Sequence, residues 1–260
     1  MNPDRETKET RIIIRYGELW LKGHNRSFFE HALIKNIRAC LISCAHPHGE
    51  IIRKNGRIII ASPHLCEALT RVSGIVSYGL AVQTEATLEK IKHLLGEQVE
   101  RIDEPFCIRV NRLEKHGPLS QEIERDLGAF IVQKTGKKVQ LEKPKTTVRI
   151  DWYLHEAYVL FSEENGVGGL PIRPEGRVCL LLRTEKDVIA GKLLLKRGCL
   201  PDVIVNNQDL YRQLQHWCPG ISLPKIDEES LKTYDFVVSG DENSPLPTSY
   251  LPLEGMEEGE

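Results

Sequence analysis

The residues whose types and spacing could do chemistry begin at Arg177–Gly198, which reads RVCLLLRTEKDVIAGKLLLKRG. Val178–Leu182 is a short apolar run of the kind that forms a buried strand. Val188–Lys196 has the pattern of a helix, and Lys196, Arg197 and Gly198 supply its stop signal. Strand, tight loop and helix is the layout with which α/β proteins hold phosphate. Glycines in the loop let backbone N–H groups approach the anion at the helix N-terminus. The intervening loop, Arg183–Asp187, has no glycine and carries Glu185 and Asp187, whose charge repels phosphate. Two readings follow: this is not a nucleotide site, or it was one in a relative and has decayed. Asp187 and Glu185 could hold Mg²⁺, but nothing beside them would hold the phosphates that such an ion bridges.

A second set of residues suits a polyanion. Lys22 and Arg26 flank a Gly-His-Asn turn at a helix start, where N–H groups and cations both favour phosphate. Arg109, Arg112 and Lys115 follow a strand pattern. Lys134, Lys137 and Lys138 crowd the end of a helix, and Lys143 and Lys145 lie just beyond. Lys and Arg contacts to phosphate supply affinity and make it salt-dependent. Taken singly, any one of these side chains reads more readily as a solvated surface charge. A helix C-terminus alone favours Lys134, but it does not account for the run continuing to Lys145. No aromatic series is present to stack unpaired bases, so recognition would be of backbone and shape.

Cys40 and Cys44 stand four apart on an apolar helix stripe, which fits core packing better than a redox or metal role. His46-Pro47-His48 has no Cys or carboxylate pattern beside it and reads as a loop. No catalytic residue, metal or cofactor is expected; ATP and Mg²⁺ enter only if the Arg183–Asp187 loop still works.

The formal charge of the 260-residue chain is −2, which hides an asymmetry. Residues 11–183 carry 26 Lys and Arg against 20 Asp and Glu, whereas 184–260 carry 7 against 14. A basic body with an acidic tail suits a polyanionic partner, although chance distribution over solvated faces would look the same. The apolar runs are too short to cross a bilayer. The polar start, MNPDRETKET, has neither a signal-peptide nor a transit-peptide pattern. Seven cysteines without a C-x-x-C pair fit the reduced thiols of a cytoplasm.

The elements that would position these residues form three groups. Strands at 11–16, 51–53, 57–61 and 75–84 and helices at 26–44 and from Ser62-Pro63 to about Val72 give the β-α-β-β-α-β order of a ferredoxin-like unit over 11–80. Asn55-Gly56 marks its hairpin turn. Helices at 87–99 and 120–135 and strands at 106–110, 147–152 and 157–163 make a second α/β unit over 81–170. Asn165–Pro171 is rich in glycine and reads as a hinge. Residues 171–240 alternate strand and helix, as in a parallel sheet, and look truncated. Residues 1–10 and 241–260 read as a disordered tail and a loose acidic tail.

Three stretches carry a family resemblance. Arg15–Gly23 with Asn25, Arg26, Phe28, Phe29 and Glu30 resembles the opening of the tRNA sulfurtransferases, the ThiI-like 4-thiouridine synthetases. Leu119–Arg125 with Gly128, Thr135 and Gly136 resembles their THUMP domain. Gly166–Pro171 with Gly176 and Val178–Leu182 resembles their entry into a pyrophosphatase-loop domain. The likeness runs over about 11–198 and implies a ferredoxin-like domain, a THUMP domain and a Rossmann-like parallel-sheet unit. It also implies binding of the acceptor stem and 3′ end of tRNA. The family's Ser-Gly-Gly-x-Asp-Ser loop is replaced here by Arg183–Asp187 and then Val188, with only Asp187 in common. The family's catalytic cysteines find no counterpart that the positions of Cys179, Cys199 or Cys218 support. The combined expectation is a tRNA-binding relative of the thiolation enzymes that serves a separate catalytic sulfurtransferase or forms a homodimer. The alternative is an active ATP-dependent sulfurtransferase with a divergent loop.

Overall fold

A computed structural model describes residues 9–114, 118–234 and 236–240, and the backbone of 249–250. The chain divides into two compact units, each assembled from three segments. The first comprises residues 1–14, 47–65 and 78–164; the second comprises 15–46, 66–77 and 165–260.

Apolar runs, such as Ile12–Ile14 and Ile58–Ile60, build the sheet of the first unit. Its strands are β1 (Thr10–Arg15), β2 (Ile51–Lys54), β3 (Arg57–Ala61), β4 (Ser77–Glu85), β5 (Phe106–Arg112), β6 (Thr146–Trp152) and β7 (Glu156–Leu160). They lie in the order β2-β3-β1-β4-β7-β6-β5, and β8 (Glu164–Asn165) adds a short pairing to β4. β5 and β6 run parallel in a register that sets Phe106 opposite Thr146; β6, β7 and β4 run antiparallel. α2 (Leu88–Glu97) and α3 (Ser120–Thr135) bury Ile91, Leu94 and Leu95 and Ile123, Leu127 and Ile131 against Phe106, Ile108, Val148 and Ile150. That spacing of three, four and eight residues is the apolar stripe of a surface helix. Thr87 caps α2 by accepting from the Lys90 N–H at 3.2 Å. Gly136, at φ 72°, closes α3 in the left-handed region, where a residue without Cβ is favoured.

The second unit contains α1 (Arg26–Ser43) and a parallel sheet. Phe29, Leu33, Ile37, Cys40 and Leu41 of α1 are buried. The sheet has the order β11 (Lys225–Ile226), β10 (Leu200–Val205), β9 (Arg177–Leu182), β12 (Val237–Val238) and β13 (Ser249–Tyr250). α4 (Glu185–Lys196) and α5 (Gln208–Gln215) bury Val188, Leu194, Leu195, Leu210 and Leu214 with Leu180, Leu182 and Val203. Among the described residues no helix is long and apolar enough to cross a membrane.

Five expectations change. The helix expected from Ser62-Pro63 is a short 3-10 turn, Glu67–Arg71. Ser62 does not cap it, because the turn starts only after Cys66; the Ser62 oxygen instead accepts from the His64 N–H at 3.4 Å. Cys44 is exposed rather than on the buried stripe, because α1 ends at Ser43 and Cys44 is its C-cap. The glycine-rich segment is no free hinge. Gly166 N–H donates to the Val76 carbonyl at 2.9 Å, Gly168 to Ile75 at 2.7 Å, and Gly74 to Gly168 at 2.8 Å. The helix after the nucleotide-like loop starts at Glu185, three residues earlier than the apolar pattern indicates. Within the span read as a loose tail, Ser249 and Tyr250 pair in parallel with Val237 and Val238; the terminal stretches 1–8 and 251–260 and the span 241–248 lie outside the described residues.

Candidate nucleic-acid interface

The nucleotide-like turn is shaped by Asp187. The loop between β9 and α4 is only Arg183 and Thr184. Asp187 Oδ2 accepts from the Arg183 N–H at 2.9 Å, the Thr184 N–H at 2.7 Å and the Thr184 hydroxyl at 2.9 Å. Its Oδ1 accepts from the Ser239 hydroxyl at 2.8 Å and the Gly240 N–H at 2.7 Å. Asp187 is fully buried. Burial alone would raise its pKa, but the donations from Gly240, Arg183, Ser239 and Thr184 outweigh burial and hold the carboxyl below its ordinary range. Gly240 comes this close because it lacks a side chain: a Cβ there would stand 2.2 Å from the Lys186 carbonyl oxygen. The chain's own carboxylate thus engages the N–H groups of Arg183 and Thr184 immediately before the helix start.

The cations of α1 are partly engaged within their unit. Arg26 Nε donates to Glu30 Oε1 at 2.7 Å, and the Tyr16 hydroxyl donates to the same oxygen at 2.6 Å. Burial and the donation to Glu30 push the Tyr16 pKa up to about 12. Lys22 donates to Glu175 at 2.6 Å and lies over the Phe29 ring at 4.5 Å. Lys22 and Arg26 therefore have structural partners. The sequence pattern did not single out the cleft beside them, a cavity of about 430 Å³ whose lining includes Phe28, His31, Lys35, Asn36 and Arg173. Phe28 is 62% exposed.

Arg173 holds φ at 98°, anchored by its N–H on the Gly198 carbonyl at 2.8 Å. A side-chain-bearing residue at that φ stores about 1–3 kcal/mol, and such strain clusters at ligand sites. Arg173→Gly is expected to raise stability by about 1 kcal/mol in urea unfolding. Unchanged or lowered stability would show that no strain is stored there.

In the first unit the basic run is divided by geometry. Lys137 Nζ donates to the Val99 carbonyl at 2.8 Å and the Ile102 carbonyl at 2.6 Å. Arg109 donates to the Leu141 carbonyl at 2.9 Å and Arg112 to the Pro118 carbonyl at 2.9 Å. These three bind backbone and shape loops. Lys115 lies outside the described residues. Lys134, Lys138, Lys143 and Lys145 are exposed. Lys145 pairs with Asp103 at 3.2 Å, both side chains more than half exposed, an ion pair that solvent screens and a phosphate can displace.

The backbone brings two of these lysines, Lys138 and Lys145, to one edge of the sheet. After Gly136 the chain runs beside the start of β5: the Phe106 N–H donates to the Lys138 carbonyl, the Gln140 N–H to Phe106, and the Lys145 N–H to Pro105. One rim of the sheet thus carries Lys138 and Lys145, with Lys134 on the last turn of α3. Asp103, Glu104 and Glu142 are interleaved along it.

Comparisons with known proteins agree with this architecture. Residues 11–79 match the ThiI ferredoxin-like domain and 83–161 match the THUMP domain. A probable tRNA sulfurtransferase of Methanobrevibacter smithii is 33% identical over 240 residues, covering 82% of this chain and 61% of that protein. One of Coxiella burnetii is 35% identical over 209 residues, 74% of this chain and 53% of that one. The chain therefore spans between about half and three-fifths of the length of these curated relatives. A Pyrococcus horikoshii protein of known crystal structure superposes with a TM-score of 0.84 at 27% identity over 96% of each chain. A crystal structure of a 4-thiouridine synthetase–RNA complex with bound ATP shares the fold, with a TM-score of 0.69 at 23% identity over 86% of this chain and 64% of that one. With both domains in sequence and relatives of that name along most of its length, the chain belongs to the ThiI-like family of THUMP-domain proteins.

Proposed function

We propose that this chain binds tRNA through the phosphate backbone and does not itself activate tRNA with ATP. The glycine-free turn Arg183–Thr184, where the family's loop has Ser-Gly-Gly, carries the second half of that reading. No glycine in this turn lets a triphosphate approach the N–H groups that open α4. The binding half is supported by the two matched domains, the exposed lysine rim and the cleft lined by Lys35 and Arg173. Filter binding with tRNA across a salt series tests it. Binding should weaken steeply as salt rises, since counterions released from the nucleic acid are recaptured. No binding, or binding that salt does not change, overturns it.

The finer reading is that the acceptor stem and 3′ end are held for a separate sulfurtransferase. A second reading, an ATP-dependent sulfurtransferase with a divergent loop, rests on the relatives' names. For that reading ATP and Mg²⁺ would have to bind beside Asp187, and calorimetric titration of ATP distinguishes the two.

A further inference from the structure

Three cysteines that the tRNA reading does not use converge in the second unit. Cys40 lies in the last turn of α1, Cys44 is its C-cap, and Cys66 immediately precedes the 3-10 turn Glu67–Arg71. Their three sulfur atoms all lie within 4.8 Å of one another. Cys40 and Cys66 are buried and Cys44 is exposed. The i, i+4 spacing on one helix explains why Cys40 and Cys44 face the same way; Cys66 reaches them from a separate segment.

We propose that Cys40, Cys44 and Cys66 form a three-thiolate site for a thiophilic d¹⁰ cation, Zn²⁺. A tetrahedral Zn²⁺ with bonds of about 2.3 Å to sulfur needs sulfur atoms about 3.8 Å apart. The triangle is at most about 1 Å too wide for that, an adjustment within the reach of side-chain torsions. Soft thiolates select such an ion over Mg²⁺ or Ca²⁺. A disulfide would leave the third sulfur unused, whereas a cation engages all three. Exposure at Cys44 supplies an entry path and room for a solvent ligand in the fourth position.

The electrostatics assist the same chemistry. The Cys40 thiol donates toward Cys66 and lowers the Cys66 pKa; burial opposes this, while the Ala68 N–H adds to it. Binding displaces the thiol protons to solvent, so no oxidant or reductant is involved. Once bound, the ion ties the end of α1 to the segment at Cys66 and stabilises the folded unit by mass action.

The test uses the full chain, reduced with a phosphine, stripped with chelator and titrated with Co²⁺ and then Zn²⁺. One equivalent of Co²⁺ should bind with a thiolate-to-metal charge-transfer band, and Zn²⁺ should bleach it. Cys66→Ser and Cys44→Ser should each weaken Zn²⁺ binding by at least about a hundredfold, since even outer-shell changes cost ten- to a hundredfold. Cys44 is exposed, so Cys44→Ser should keep its circular dichroism and decides the question if Cys66→Ser fails to fold. Absence of the charge-transfer band, or less than a tenfold change in Cys44→Ser, overturns the proposal. So does a Cys40–Cys66 disulfide in protein purified under reducing conditions. None of these readouts depends on tRNA.

Discussion

Asp187→Ala is expected to lower the unfolding free energy by about 3 kcal/mol. Truncation strands two hydroxyls and three backbone N–H groups that all point at the missing carboxylate, and buried donors left unpaired cost about 1–3 kcal/mol each before relaxation. Water entering the small cavity recovers part of that loss. Asp187→Asn keeps the shape but turns an amide NH₂ toward donors, so it should recover little. The effect has a pH signature. The folded-state pKa of Asp187 is depressed, so its contribution is complete above the ordinary carboxylate pKa of about 4 and disappears as pH falls through the folded value. The gap between wild type and Asp187→Ala, read as urea midpoints, should therefore narrow in acid. A loss below about 1 kcal/mol at neutral pH would show that the carboxylate does not hold this turn together.

The second large effect concerns affinity. Replacing Lys134, Lys138, Lys143 and Lys145 together with Ala should flatten the dependence of log K on log salt by about 3–4, close to one per lost phosphate contact. In low salt that should cost on the order of a hundredfold or more in tRNA affinity, and much less in high salt. Lys137→Ala is the contrasting variant. Its ammonium is held by the carbonyls of Val99 and Ile102, so its loss should reduce thermal stability and leave the salt slope unchanged. Equal salt slopes for wild type and the fourfold variant would remove the lysine rim from the interface.

Much of this architecture was legible from periodicity. The apolar positions of Ser120–Thr135 and the glycine after them define α3 residue for residue, and Val178–Leu182 reads directly as the core of β9. A two-residue strand such as β11 is too short to leave a period. Which cations are exposed was not legible, because Lys137 and Lys138 are adjacent in sequence and differ only in the carbonyls that the fold brings to one of them. Arg173 gives no local sign of its backbone, and Cys66 stands 22 residues from Cys44. Asp187 did leave a signal: Thr184 and Asp187 have the spacing of a capping box. That pattern starts the helix at Glu185 and accounts for the carboxylate without a ligand.

Pyrophosphate exchange into ATP, measured with the full chain in the presence of tRNA and Mg²⁺, tests the central claim most directly. The structure of the α4 turn leads us to expect no exchange above the rate without protein, in a sample whose salt-sensitive tRNA binding is verified. Exchange that requires tRNA and is lost in Asp187→Asn would contradict it, and would return the chain to the ATP-dependent sulfurtransferases.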